Sequence, residues 1–333
     1  MSVIVTVLNE LRPVQALLAN LLQQEPPPGE IVVVDGGSRD GTLEALRRVA
    51  AEWQSRGEQT ELRVISTPGS TISQGRNQAI REARHDVLAV TDAGVQLGPD
   101  WLHLITGPLL SSPARADVVA GFFLSDPRSL FERALGAATL PGLAEVRPDR
   151  FLPSSRSLGL HRNVWQQVGG YPDWLDYGED VVFDLDLRRS LGARFLFEPR
   201  AVAYFRPRSS LAAFFRQYYR YARGDGKANL WPERHAIRYG VYALGLWAAA
   251  WLLSGAWQSN GARRLTGLMA LVGGTCYLRR PATRLLDQAG DAKPLELAAM
   301  LALLPLLRAT GDLAKMSGYP VGTLWRWRRR QAR

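Results

Sequence analysis

Three short stretches end in side chains that could do chemistry. "VLAVTDAG" brings Asp92 to the end of a continuous apolar run, "EIVVVDGG" brings Asp35 to the end of another, and "GED" sets Glu179 beside Asp180. A carboxylate at the end of a buried run can accept hydrogen bonds from a ligand. Paired with a second acid two residues on, it can hold a metal ion. Position 94, two residues after Asp92, is glycine. The handling of negative charge near Asp92 is therefore the open chemical question of this sequence.

Positioning these groups requires regular elements. Val3–Leu8 reads as a buried strand, with Thr6 near its end, and Leu11, Val14, Leu17, Leu18, Leu21 and Leu22 follow at helical spacing until "EPPPG" stops the helix. Residues 30–37 form a second strand, and Asp40 or Thr42 caps a helix whose inner face is Leu43, Leu46, Val49, Ala50 and Trp53. Leu62–Ser66 is a third strand, Ser73 opens the helix "SQGRNQAIREA", and residues 87–91 are a fourth strand. This alternation predicts an α/β fold with a parallel sheet covered on both faces. Ligands of such sheets bind beyond the carboxyl ends of the strands, where Thr6, Asp35 and Asp92 converge. "GEDVVFDLDLRRSLG" reads as a helix with Val182, Leu185, Leu187 and Leu191 inward and Glu179 and Asp180 in its first turn, where the helix dipole stabilises carboxylates.

Charge divides the chain of 333 residues. Residues 1–205 carry 20 Lys and Arg against 25 Asp and Glu, whereas residues 206–333 carry 21 against 6. In the second part the cations flank apolar runs at 239–257, 265–278 and 297–307, and "TLWRWRRRQAR" mixes Trp with Arg. That pattern fits an anionic membrane surface rather than a nucleic acid. The run at 239–257 is the best spanning candidate. One cysteine excludes an intramolecular disulfide and a Cys-based zinc site, and the four histidines form no i,i+4 pair. No signal peptide precedes the first strand, so the N-terminal part is expected to remain on the cytoplasmic side.

Six motifs in order resemble the family 2 inverting glycosyltransferases of GT-A fold: "VIVTVLNE", "VVVDGGSRDGT", "GRNQAI", "TDAG" in the place of a DxD motif, "VGGYPDWLDYGED", and "RQYYRYARG" in the place of a QxxRW motif, with Tyr221 for Trp. The resemblance covers about residues 1–230 and implies a Rossmann-like, mostly parallel sheet flanked by helices. Residues 231–333 are then a helical, membrane-associated region with a basic tail.

The resemblance implies transfer of a sugar from a nucleotide-sugar to a hydroxyl acceptor, lipid-linked or part of a polysaccharide, with inversion. Asp180 is the implied general base and Glu179 its helper. Thr6, Glu10, Asp35, Arg76 and Asp92 are implied at the nucleotide-sugar. Arg206, Arg208, Gln217, Arg220 and Tyr221 are implied at the diphosphate or acceptor. A divalent cation, Mg²⁺ or Mn²⁺, would have only Asp92 as a protein ligand, since Gly94 offers none and "AVAYFRPRSS" lacks the expected His. Either arginines stabilise the leaving diphosphate, or water and diphosphate oxygens complete a metal site. The alternative function is a non-catalytic, degenerate transferase that scaffolds other enzymes at the membrane or binds a sugar nucleotide. A nucleotidyltransferase would want a Gly-rich basic loop near the first strand, which "TVLNELRP" is not.

Overall fold

The computed structural model describes residues 1–111, 116–253, 260–288, 290 and 292–331. Two compact units emerge, Met1–Asp126 with Leu143–Arg206, and Pro127–Gly142 with Pro207–Arg333. The boundary expected between residues 230 and 231 falls inside the second unit.

In chain order the elements are β1 (Ser2–Val7), α1 (Leu11–Leu22), β2 (Glu30–Asp35), α2 (Thr42–Arg56), β3 (Glu61–Ser66), α3 (Ile72–Glu82), β4 (Val87–Asp92), β5 (Val95–Leu97), α4 (Trp101–Ser111), β6 (Val118–Ser125), α5 (Leu130–Thr139), β7 (Leu158–His161), α6 (Arg162–Gln167), α7 (Glu179–Arg189), β8 (Phe195–Phe205), α8 (Leu211–Ala228), α9 (Pro232–Leu253), α10 (Asn260–Asp287) and α11 (Pro294–Gln331). α5 and the helices from α8 onward belong to the second unit.

The first unit is built on one eight-stranded sheet of order β3-β2-β1-β4-β7-β6-β8-β5. Its β3-β2-β1-β4 half is parallel, as the strand–helix alternation requires. The other half is mixed: β7 runs antiparallel to β4 and β6, β5 antiparallel to β8, and only β6 and β8 are parallel. The mostly parallel sheet expected from the sequence is thus present, with its antiparallel pairs confined to the part beyond β4. A parallel neighbour needs a crossover of a dozen residues or more, usually a helix. That alternation ends at β4, because only the short Ala93-Gly94 turn separates it from β5. Val3, Val5 and Val7 pack on one face with Val14, Leu17 and Leu21 of α1, while Ile4 packs on the other with Ile80 of α3. Successive strand residues facing two helix layers explain the unbroken apolar runs.

In the second unit α8 and α11 are joined along a seam of glycines. A Cβ at Gly318 or Gly322 of α11 would overlap the carbonyl oxygen of Tyr219 or Arg223 of α8, and one at Gly226 would overlap that of Tyr319. Gly311 meets Phe214, and residue numbers rise together on both sides, so α8 and α11 run parallel at backbone contact.

α9 and α10 are inside out. His235, Arg238, Tyr239 and Tyr242 recur at helical spacing on the inner face of α9. Arg238 Nε meets Asp312 Oδ1 at 2.8 Å, Tyr277 Oη donates to Asp312 Oδ2 at 2.5 Å, His235 Nε2 lies 3.2 Å from Asp225, and Tyr239 donates to Met316 O at 2.7 Å. Ile237, Leu244, Leu246, Trp247, Leu268, Met269 and Leu271 are exposed. Among the described residues one helix, over Pro294–Arg329, is long and apolar enough to cross a membrane by length and composition. The run at 239–257 ends outside the described residues, in its positions 254–257.

Candidate active site

The parallel register sets the strand-end residues side by side. Thr6 of β1 pairs with Asp92 of β4 and with Val34 of β2, and Val7 pairs with Asp35. Thr6 is half-buried. Asp35 is fully buried, and its Oδ1 accepts from the backbone amides of Gly37 at 2.9 Å and Ser38 at 3.0 Å. Its Oδ2 has no hydrogen-bond partner. A buried carboxylate oxygen left without a donor is costly unless a ligand supplies one. Glu10 stands just before α1, its backbone N–H donating to Thr42 Oγ1 at 3.0 Å.

α3 organises the other side. Thr71 and Gln74 form a capping box that fixes its start. Ser73, Arg76 and Asn77, at i, i+3 and i+4, share one face and anchor the loop that leads to α7 at three points. Ser73 Oγ donates to Leu175 O at 3.0 Å. Asn77 Nδ2 donates to Tyr171 O at 2.7 Å and Asp173 Oδ1 at 2.8 Å, and Asn77 Oδ1 accepts from Trp165 Nε1 at 2.9 Å and Tyr171 N at 2.8 Å. Arg76 Nη1 meets Glu179 Oε1 at 2.7 Å and Arg76 Nη2 meets Asp92 Oδ1 at 2.8 Å.

Arg76 was expected at the nucleotide. Its guanidinium, 2% exposed, bridges the strand-end acid to the helix-start acid. Burial alone would lower its pKa, but Asp92 and Glu179 raise it, so it is a permanent cation. A second guanidinium, that of Arg156, reaches Asp92 Oδ2 through Nε at 3.5 Å. Burial alone would raise the Asp92 carboxyl, yet the charges of Arg76 and Arg156 hold it below its ordinary value.

α7 begins after Gly178, with Glu179 and Asp180 in its first turn as expected. Asp180 Oδ1 accepts from Val181 N at 2.9 Å. Burial first and the Asp180 charge second push Glu179 up to about 7, against Arg76. Asp184, one turn on and buried, is raised well above its ordinary value by burial and then by Asp180, and its Oδ2 has no hydrogen-bond partner. The buried face of α7 is Glu179, Phe183, Asp184 and Leu187, so Val182, Leu185 and Leu191 are only partly covered, contrary to expectation. Two acids, Glu179 and Asp184, thus share the buried face with Phe183 and Leu187.

Asp92, Arg76, Glu179 and Asp180 thus form one cluster, with Thr6 beside Asp92. Arg206 is exposed just beyond β8. Arg208, Gln217, Arg220 and Tyr221 lie in the second unit, where Gln217 Nε2 donates to Tyr221 Oη at 2.8 Å. Arg156 and Asp184 were not anticipated. Ser73 and Asn77 carried a readable signal, their i, i+3, i+4 spacing with Arg76.

The donor set does not fit a divalent cation held by protein. Both oxygens of Asp92 face guanidinium nitrogens, and among the described residues no group of three or more His, Cys, Asp or Glu is placed to hold a metal.

The family model described as glycosyl transferase family 2 matches residues 2–158. The succinoglycan biosynthesis protein ExoA of Rhizobium meliloti (strain 1021) is 27% identical over 306 residues, covering 81% of this chain and 89% of that protein. The glycosyltransferase AglE of Haloferax volcanii is 26% identical over 253 residues, covering 74% of this chain and 79% of that protein. Among solved structures, the mannosyltransferase PcManGT from Pyrobaculum calidifontis, in complex with GDP-Man and Mn²⁺, is similar in fold, with a TM-score of 0.53 and 21% identity over 97% of this chain and 86% of that one. Residues 2–158 thus match glycosyl transferase family 2, and the sheet that carries them is similar in fold to a solved glycosyltransferase.

Proposed function

We propose that the chain transfers a sugar from a nucleotide-sugar to a hydroxyl of a lipid-linked or polysaccharide acceptor, with inversion, residues 1–230 supplying the catalytic groups. The observation that carries the reading is the set of acids at the carboxyl ends of the strands, where Asp35 Oδ2 is buried without a donor and Asp92 and Glu179 share Arg76. Asp35 accepts hydrogen bonds from the base or ribose, and Thr6 and Glu10 complete the nucleotide side. Asp180 takes the proton of the acceptor hydroxyl as its oxygen attacks the anomeric carbon from the face opposite the diphosphate. The new glycosidic bond forms as the bond to the diphosphate oxygen breaks, and the nucleoside diphosphate leaves. Glu179, fixed by Arg76, positions the acceptor. Gln217, Arg220, Tyr221, Arg206 and Arg208 are proposed for the acceptor or diphosphate. Arg76 acts through Asp92 and Glu179 rather than on the donor.

The helical unit holds the enzyme at a membrane with the catalytic part on the cytoplasmic side. Its support is the reversal of polarity in α9 and α10, where ion pairs face inward and leucines and tryptophans outward. The succinoglycan role in the name of one relative favours a cell-envelope polysaccharide or glycolipid as the product.

The test is a screen of nucleotide-sugars with the membrane-reconstituted protein, read as nucleoside diphosphate release, alongside Asp180→Asn. Wild-type release with at least one donor and a loss of about 10²–10⁴-fold in the variant, at unchanged nucleotide affinity, is expected. Release by Asp180→Asn at more than about a tenth of the wild-type rate would remove the base assignment. No release with any donor would favour the scaffold reading.

A further inference from the structure

We propose that Arg156 binds the diphosphate of the donor, so that nucleoside diphosphates bind this protein without a divalent cation. The inference rests on the transferase reading above and names the group that meets the charge of its leaving group.

Arg156 is presented to the strand ends by a rigid frame. Thr91 Oγ1, next to Asp92 on β4, donates to Arg156 O at 2.9 Å. The residues on either side are serines, each 1% exposed. Ser155 Oγ is 2.9 Å from Tyr171 Oη, while Ser157 Oγ donates to Ala201 O at 2.8 Å and accepts from Trp101 Nε1 at 2.8 Å. With its neighbours pinned inward, the Arg156 side chain is directed along the strand ends and remains 25% exposed.

Its guanidinium lies 4.8 Å from the ring centroid of Phe205, which closes β8, and Nη1 donates to Ser154 Oγ at 3.1 Å. The ring fixes one face of the plane, as aromatic platforms do for arginine. Arg156 Nε lies 3.5 Å from Asp92 Oδ2, against 2.8 Å between Arg76 Nη2 and Oδ1, and the Arg156 side chain is 25% exposed against 3% for Arg76. Arg156 is therefore the more accessible of these two cations. A planar fork at the mouth of a strand-end site suits phosphate oxygens, which it can engage in two hydrogen bonds at once. Since both oxygens of Asp92 are already turned to guanidinium groups, the positive charge next to this carboxylate is supplied by side chains.

The experiment is titration calorimetry of the full chain with UDP, GDP, CDP, ADP and dTDP, in EDTA and then in Mg²⁺. Wild type is expected to bind at least one of them in EDTA. Arg156→Ala should weaken that binding about 10–100-fold, the usual range for a lost charged hydrogen bond, with Arg156→Lys in between and partial recovery in Mg²⁺. Melting curves confirm that the variants fold; should Arg156→Ala melt early, Arg156→Gln, which keeps a polar side chain without the positive charge, gives the same reading. Binding by the wild type only when a divalent cation is added, or wild-type affinity in a normally folded Arg156→Ala, would overturn the proposal. No binding of any nucleoside diphosphate under either condition would refute the transferase reading, and the proposal with it.

Discussion

Replacing Glu179 by glutamine should stabilise the protein above neutral pH while impairing transfer. Two effects oppose each other at this residue. The Arg76 contact at 2.7 Å favours the carboxylate, whereas burial to 6% exposure and the neighbouring Asp180 disfavour it. Burial and repulsion win, because the carboxyl titrates at about 7 instead of 4.5. The folded chain thus holds this proton more tightly than the unfolded chain. Stability from this group is full below about 4.5, declines as pH rises, and is lost above about 7. The ionised side chain then costs on the order of 3 kcal/mol. Glutamine removes that cost and keeps an oxygen for Arg76 Nη1, while Arg76 retains Asp92. At pH 8 the variant should melt about 5–10 °C higher in the transition of the α/β unit, and at pH 4.5 the two proteins should melt together. Differential scanning calorimetry at pH 4.5, 6 and 8 checks both. If the ion pair dominated instead, glutamine would break a buried pair and destabilise by about 3–5 kcal/mol at pH 8. A lower melting temperature at pH 8, or a difference independent of pH, would refute the reasoning.

Three further outcomes are expected. Asp35→Ala should weaken nucleoside diphosphate binding about tenfold or more in calorimetry with little change in turnover at saturating donor, because Oδ2 is the buried acceptor that lacks a donor. Gly94→Asp should fold normally, since a Cβ there meets nothing within 4 Å, and should create measurable Mn²⁺ affinity that the wild type lacks, read by titration of the Mn²⁺ paramagnetic resonance signal. Leu246→Glu together with Leu268→Glu, two exposed positions on α9 and α10, should shift the protein from the vesicle-bound to the free fraction in flotation with anionic liposomes, whereas substitutions confined to the first unit should not.

The parallel half of the sheet was legible because each strand is a short apolar run followed by a helical repeat, and runs buried on both faces cannot be confused with half-exposed strands. The strand-end positions of Thr6, Asp35 and Asp92 followed from the same pattern. Beyond β4 the alternation stops, and with it the periodic signal, so the antiparallel β5 and β7 and the stretch bearing Arg156 were not readable. The Arg76 bridge was hidden for a different reason. Its partners, Asp92 and Glu179, lie 16 and 103 residues away, and no local period links them. α7 misled because periodicity assigns its inner face to apolar residues, whereas a site can turn acids inward at an energetic cost.

The glycine seam sets a timing problem for the nascent chain. α8 carries Gln217, Arg220 and Tyr221, and it lies at backbone distance from α11, whose glycines are made about a hundred residues later. At roughly 5–20 residues per second, on the order of 5–20 s pass between the synthesis of the two halves. During that interval the backbone of α8 lacks its closest neighbour, and its apolar side chains are open to chaperones or to the bilayer. A ribosome that stalls before Gly318 leaves α8 without the close glycine contacts of Gly318 and Gly322.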